Sequence, residues 1–423
     1  MNSASITLTH PSKNISGTVQ LTGSKSESNR ALIIQALSNG TVQVENLSEA
    51  ADTVIMEAAL SKAKNATDGP VTIDIGPAGT AMRFLTSYLN LIAGNFLLTG
   101  TERMQQRPIG ILADALKSLG AVIHFEKKAG YPPLHIEGPM MQRTDTVSIK
   151  GDVSSQYISS LLLVASSLEK GLKIHIEGEL TSRPYVTMTL DMLQEAGIAH
   201  TWQVDSIHIA PQQFQPTTIY VEPDWSAASY WYAIVALSDN GKIILPGLKK
   251  HSLQGDIAIV DIMQHFGVIS SFEHDGLHLT KTNVVSEKTF FDFKECPDLA
   301  QTIVVLAAAL KRDISITGVE TLKIKETDRL HALKVEIGKF GAELLEDGEI
   351  YHVKTDKVVY TDHILIDTYE DHRMAMAFAP LALVFNRITI NEPIVVEKSY
   401  PAFWEHLLSQ GFQISKLKHE MPQ

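Results

Sequence analysis

The residues best suited to chemistry recur at corresponding places along the chain. In LTGSKSESNRA (21–31) a glycine precedes Ser24, Lys25, Ser26, Ser28 and Arg30 at the expected start of a helix. Ser24 or Ser26 could serve only as an N-cap, with both cations in water. The alternative is an anion site, in which free backbone N–H groups, the helix dipole, a hydroxyl and two cations face one phosphate. Other stretches repeat the combination. Gly79, Thr80 and Arg83, then Ser154, Ser155 and Gln156, then Ser226, Asp298, and Asp371, His372 and Arg373 all fall at starts of predicted buried helices. Arg107, Ser182 and Arg183, Lys325 to Arg329, and Lys398 fall in predicted loops before outer helices. If the units that carry them pack with one symmetry, both sets face a single cleft. Helix N-termini and cations would then converge on a ligand with more than one negative charge. Because those cations lie on both halves of the chain, the cleft is expected to be self-repelling when empty and to close on such a ligand.

Each residue also has a plainer reading. Asp298, after Pro297, could be a helix cap. Glu326 and Arg329 in KETDR could form an exposed i,i+3 ion pair. His372 could be a core histidine. Cys296 is expected to be inert, since nothing near it in sequence supplies a base. The histidines show no ligand-like spacing with Cys or carboxylates, so no metal site is expected. GPAGTAMR lacks the lysine placement of a nucleotide-binding P-loop.

The elements that would position these residues form an internal repeat. LKSLGAVIHF, LQEAGIAHTW, MQHFGVISSF, IGKFGAELLE and LLSQGFQISK share one form: an amphipathic helix ends, a glycine follows, and a strand begins. A helix C-cap often needs a positive φ, so Gly120, Gly197, Gly267, Gly341 and Gly411 are the expected residues there. Their spacing of roughly 70–77 residues indicates one duplicated α/β unit. Earlier in each unit lies a helix apolar on nearly all sides, such as SSQYISSLLLVASSL, SAASYWYAIVAL, DLAQTIVVLAAAL or EDHRMAMAFAPLAL, which should be buried. Strands in LKIHIEG, GKIILPG, DISITGV and RITINEP follow these helices. Residues 24 to about 69 read as a shortened first copy, which gives six units split three and three. YVEPDWSAAS (220–229) is the expected crossover, with Pro223 in an extended stretch.

Bulk composition narrows the function. The 423 residues are 44% hydrophobic and 20% charged, as in an ordinary globular protein of two or three domains. A net charge of −12 argues against a nucleic-acid partner. One cysteine excludes an internal disulfide framework and fits a reducing cytoplasm. The start MNSASITLTH has no signal-peptide pattern, and the apolar run IVVLAAAL is far short of the roughly 20 residues of a membrane helix.

Eight stretches in order, GSKSESNRA, AGTAMR, RPIG, VSSQ, CPDLAQTI, KETDRL, DHRMAMAFA and KSYPAF, resemble the 5-enolpyruvylshikimate-3-phosphate synthase family over essentially the whole chain. The resemblance implies an α/β (α+β) fold: a two-domain inside-out α/β barrel of six βαβαββ repeats, three per domain, around buried central helices. It places residues 1–20 as a strand segment joining the second domain, with domains at 21–222 and 223–423. The implied reaction transfers the enolpyruvyl group of phosphoenolpyruvate to the 5-hydroxyl of shikimate 3-phosphate and releases phosphate, with no metal or organic cofactor. By motif position, Lys25, Ser26, Arg30, Ser154, Ser155, Gln156, Ser182, Asp298 and Lys325 should meet shikimate 3-phosphate. Lys25, Gly79, Arg107, Gln156, Arg329, Arg373 and Lys398 should meet phosphoenolpyruvate. Asp298 is similar to the family's proton acceptor, Glu326 should exchange a proton at the methylene carbon, and Lys25 is a second acid/base candidate. A cytoplasmic monomer with small-molecule partners is expected. Two departures stand out: Pro77 where the family usually has Asn, and Phe84 where it often has Pro. Pro77, expected in the first helical turn, should remove one N–H donor aimed at phosphoenolpyruvate. UDP-N-acetylglucosamine enolpyruvyl transferase shares the fold, but SKSESNR and VSSQ match it less well. A non-catalytic anion-binding protein of the same fold is the remaining alternative.

Overall fold

The computed structural model describes residues 5–66, 69–284 and 286–417. The glycines that punctuate the sequence do what their spacing predicts. Gly120, Gly197, Gly267, Gly341 and Gly411 all have positive φ, between 81° and 121°, just past the ends of helices. There a side chain would be strained, and at Gly341 a Cβ would also meet the Lys357 carbonyl at 2.1 Å.

The second repeat shows the unit in full. Strand Pro70–Asp74, helix Gly79–Tyr88, strand Gly94–Thr99, helix Gly110–Leu119 and strands Val122–Phe125 and Leu134–Gly138 follow in βαβαββ order. Pro70–Asp74 pairs parallel with Gly94–Thr99, and the hairpin strand Leu134–Gly138 adds antiparallel on the other side. Among the described residues this gives five four-stranded sheets. The first repeat is the shortened one: its strand Val42–Glu45 has only the parallel partner Thr217–Tyr220, in a two-stranded sheet.

The chain divides into two compact units. One is Gly23–Val221; the other takes the residues up to Thr22 together with those from Glu222 onward. In the second of these, strand Ser5–Thr9 pairs antiparallel with both Arg387–Asn391 and Gln413–Leu417, and Asn14–Thr18 pairs parallel with Asn240–Leu245. At the crossover the buried Glu222 carboxylate accepts from Trp225 Nε1 (2.9 Å), Lys249 N (2.8 Å) and Ser252 Oγ (2.5 Å). It thereby fixes the start of helix Trp225–Leu237.

Each unit has a core of helices hidden on nearly all sides. In Gly23–Val221 these are Lys25–Leu37, Gly79–Tyr88 and Ser155–Ala165, and every residue of Gly79–Tyr88 is buried. Small hydroxyl residues let the helices approach closely: Ser87 Oγ lies 2.6 Å from Ser160 Oγ, which donates to the Arg83 carbonyl at 2.6 Å. In the other unit the buried helices are Trp225–Leu237, Ala300–Ala309 and His372–Phe378. Helices such as Arg329–Gly338 alternate buried and exposed positions and lie outside, as their polar faces predict. Buried helices end at fixed depth in the layer, so their first turns hold polar side chains in place.

Candidate active site

In the unit Gly23–Val221, three buried helices start with hydroxyls, amides and cations. Ser24 caps helix Lys25–Leu37 by accepting from Glu27 N at 3.3 Å. The cap does not leave the two cations in water. Lys25 Nζ pairs with the buried Asp52 at 3.1 Å. Arg30 is buried and held by neutral groups: it donates to Thr189 Oγ1 (2.7 Å), the Ser26 carbonyl (3.0 Å), Ser159 Oγ (3.2 Å) and the Tyr185 carbonyl (3.4 Å). Its guanidinium lies 5.2 Å from the Phe84 ring centre and 5.8 Å from that of Tyr185. Burial lowers its pKa to about 10, against weaker support from Tyr185 and Glu27. It stays charged at neutral pH. Phe84, the departure from the family pattern, is thus an aromatic face under Arg30.

The other two helix starts meet. Ser154 caps Ser155–Ala165 by accepting from Gln156 N (3.3 Å), and Gln156 Nε2 donates to Thr80 Oγ1 at the start of Gly79–Tyr88 (3.2 Å). Ser155 is buried beside this cap. Arg83 ties that helix to the RPIG loop by donating to the Gly79 and Pro108 carbonyls at 3.2 and 3.3 Å. The Arg107 guanidinium closes over Gly79 so tightly that a Cβ there would lie 2.5 Å from Arg107 Nη1. Only glycine permits this approach, which brings a cation to the helix N-terminus. Ser182 precedes helix Arg183–Glu195 in the left-handed region, with φ 51° and ψ 41°, an uncommon conformation for a residue with a side chain. Its hydroxyl does not cap that helix.

Pro77 requires a correction. The helix begins at Gly79 with Ala78 as N-cap, so Pro77 precedes the first turn. It sits in a tight turn closed by Ala78 N to the Ile75 carbonyl at 3.0 Å, after Gly76 with φ 52°. It therefore removes none of the helix's own N-terminal donors, and Asn at 77 would add a side-chain amide to this turn.

The other unit gathers charge more densely. Arg329 is 1% exposed and contacts three carboxylates: Asp371 (2.7 and 3.3 Å), Asp298 (3.0 Å) and Glu326 (2.7 Å). The Glu326–Arg329 pair is thus internal and not the exposed surface pair that its spacing allowed. Arg373 donates to Asp298 Oδ2 (3.2 Å) and to the Tyr230 hydroxyl (3.1 Å). Lys398 reaches Glu326 at 2.9 Å, and Lys325 stands 4.0 Å from Asp298. Asp371 caps helix His372–Phe378 by accepting from Arg373 N at 3.0 Å. Asp298 lies in the short 3-10 turn Pro297–Leu299 that leads into Ala300–Ala309.

The electrostatics follow from these contacts. Burial opposes the charge on Asp298, but Arg373, Lys325 and Arg329 outweigh it and hold the carboxyl well below the usual range. Burial also opposes the charge on Arg329, and Asp371, Glu326 and Asp298 outweigh it in turn. Burial pushes the Cys296 thiol far up, with Asp256 adding to the effect, so the cysteine is inert.

Asp298, Lys325, Glu326, Arg329, Arg373 and Lys398 are thus one network in one unit. Lys25, Ser26, Arg30, Gly79, Arg107, Ser154, Ser155, Gln156 and Ser182 belong to the other. Three partners were not legible in the sequence. Asp52 is one acidic residue in the first turn of helix Ala51–Lys64, Tyr230 one aromatic in a buried helix, and Asp256 one acid in a short 3-10 turn. None carries a spacing signal that sets it apart.

Comparison with known proteins places the chain in a family. The family EPSP synthase (3-phosphoshikimate 1-carboxyvinyltransferase) matches residues 9–407. A 3-phosphoshikimate 1-carboxyvinyltransferase of Bacteroides fragilis (strain YCH46) is 47% identical over 416 residues, 96% of this chain and 98% of that protein. One from Sulfurovum sp. (strain NBC37-1) is 38% identical over 428 residues, 96% and 99% of the two chains. Among solved structures, EPSP synthase from Acinetobacter baumannii aligns over 98% of this chain and 100% of its own, with TM-score 0.76 and 19% identity. The enolpyruvyl transferase NikO from Streptomyces tendae aligns over 98% and 99%, with TM-score 0.73 and 14% identity. These two share the fold. The repeated α/β units, the charged helix starts and two relatives matching nearly end to end converge: the chain belongs to the EPSP synthase (3-phosphoshikimate 1-carboxyvinyltransferase) family.

Proposed function

We propose that this chain transfers the enolpyruvyl group of phosphoenolpyruvate to shikimate 3-phosphate through the two polar clusters described above. The observation that carries the residue assignment is the Arg329–Asp298–Arg373 network, in which one carboxylate is shared by two guanidiniums. Guanidiniums bind phosphate and carboxylate oxygens in bidentate fashion, and phosphoenolpyruvate presents both groups. Arg329, Arg373 and Lys398 in one unit, and Lys25, Gly79, Arg107 and Gln156 in the other, are assigned to it. Lys25, Ser26, Arg30, Ser154, Ser155, Gln156, Ser182, Asp298 and Lys325 are assigned to shikimate 3-phosphate.

In the addition step the 5-hydroxyl oxygen bonds to C2 of phosphoenolpyruvate, the hydroxyl proton leaves, and the methylene carbon gains a proton. In the elimination step the new methyl group loses a proton, the bond from C2 to the phosphate oxygen breaks, and phosphate departs. Asp298 is assigned to take the hydroxyl proton and Glu326 to exchange the proton at carbon, with Lys25 as a second acid/base group. Asp298 is a poor base while Arg373, Lys325 and Arg329 hold its charge. Anionic substrate that draws on the same cations weakens that hold and raises the proton affinity of Asp298 where the hydroxyl arrives. The chain is read as a monomer of the cytoplasm; its single buried cysteine fits a reducing compartment and leaves the oligomeric state to be measured. Among the described residues, no helix is long and apolar enough to cross a membrane.

Arg373→Ala tests the assignment. Loss of a charge-paired guanidinium costs on the order of 2–5 kcal/mol of affinity. That loss should fall on phosphoenolpyruvate, measured as its KM. Calorimetric affinity for shikimate 3-phosphate alone should stay near the parent value. Equal losses for both substrates would overturn the assignment.

A further inference from the structure

Beside Asp298 lies a second buried carboxyl that no step above uses. Asp256, in the 3-10 turn Gly255–Ala258, is 4% exposed. One oxygen accepts from Ser226 Oγ at 2.5 Å. The other, Oδ1, is buried and has no hydrogen-bond partner among the described residues. An ionised carboxylate in that setting leaves a buried charged oxygen without a hydrogen bond, which costs more than leaving an oxygen of the neutral acid so. The charged and titratable groups around it come from each neighbouring element. Asp224 caps helix Trp225–Leu237, Cys296 precedes and Asp298 lies in the turn into Ala300–Ala309, and Arg373 is in the first turn of His372–Phe378. Asp261, on the following helix Ile259–Gln264, is exposed and acts on Tyr232 and His265. Arg373 is the cation in this set, and it already donates to Asp298.

We propose that Asp256 works in its protonated form to leave Arg373 to Asp298 and phosphoenolpyruvate, and that its loss of a proton as pH rises through neutrality weakens phosphoenolpyruvate binding. Asp256 is a positioning residue, acting through Arg373. Burial and the neighbouring Asp298 charge raise its pKa to about 7, against the pull of Arg373 and the Ser226 hydrogen bond. An ionised Asp256 adds one negative charge that competes with substrate for the same guanidinium. Bound phosphoenolpyruvate in turn favours the protonated form, by linkage.

The inference rests on the substrate assignment above, and its test has one arm that does not. A carboxyl that holds its proton more tightly in the folded chain contributes most to stability at low pH. That contribution is fully present below about 4 and is lost as pH rises through about 7. The Tm of the parent should therefore fall by several degrees relative to Asp256→Asn across this window. The second arm is kinetic. The parent's KM for phosphoenolpyruvate should rise severalfold between about pH 6 and 9, while that of Asp256→Asn stays flatter, the ionisation of phosphoenolpyruvate itself being common to both. Ser226→Ala provides a second variant. It removes the hydrogen bond that favours the ionised form, so the alkaline rise in KM should move to higher pH. A constant Tm difference between parent and Asp256→Asn overturns the proton assignment whatever the substrate. A Tm shift with parallel KM profiles overturns the link to Arg373. If Asp256→Asn does not fold, an unmoved KM profile in Ser226→Ala overturns the proposal.

Discussion

Replacing Asp298 by Asn should lower kcat by about 100- to 10,000-fold, the usual contribution of a general base. The amide keeps the shape of the side chain and its place in the turn before helix Ala300–Ala309. It loses the capacity to take the 5-hydroxyl proton. It also releases Arg373, Arg329 and Lys325 from a carboxylate they now hold at 3.0–4.0 Å. Those cations are then more available to anions, so KM for phosphoenolpyruvate should be unchanged or lower. Steady-state kinetics on the variant separate the two effects. Raised KM with preserved kcat would make Asp298 a binding group and would remove it as the base.

Arg329→Met should be the most destabilising single change in the charged network. The methionine fills much of the aliphatic volume, but Asp371, Asp298 and Glu326 lose a guanidinium they share at 2.7–3.3 Å. Breaking a buried ion pair by removing one partner costs about 3–5 kcal/mol, because the remaining charge is left uncompensated. The sign with pH follows from the carboxylates. Asp298 is held below its ordinary range in the folded parent, so its share of stability is present above the ordinary Asp value and is lost as pH falls below it. The variant has less of this contribution to lose. Its deficit against the parent should be largest near neutral pH, nearly as large at about pH 4, and smaller near about pH 2, measured by urea denaturation across that range. A deficit that does not change with pH would mean that lost packing, and not charge, explains it.

Much of this arrangement was legible in the sequence because it rests on local rules. A helix that must end before a strand needs a residue tolerant of positive φ, and five glycines mark the repeat without reference to any contact. Helices apolar on all sides had to be central, so polar residues in their first turns had to lie at one end of a layer. Local rules stop where the outcome depends on what another segment brings. Glu326 and Arg329 have the spacing of a surface pair; Asp371 and Asp298, 42 and 31 residues from Arg329, make the pair internal. Pro77 was expected in the first helical turn, but the turn closed by Ala78 and Ile75 moves the helix start to Gly79. Phe84 could be noted as a departure, yet its role under Arg30 depends on how two helices cross. Asp52 and Asp256 gain meaning only from Lys25 and Ser226, which lie 27 and 30 residues away in sequence.

The central claim is that these two clusters transfer an enolpyruvyl group to shikimate 3-phosphate. Phosphate release from phosphoenolpyruvate tests it most directly, assayed with shikimate 3-phosphate, with UDP-N-acetylglucosamine and with no acceptor. Release with shikimate 3-phosphate alone is the expected result, and Asp298→Asn should abolish most of it. Release with the nucleotide sugar, or with neither acceptor, would contradict the claim.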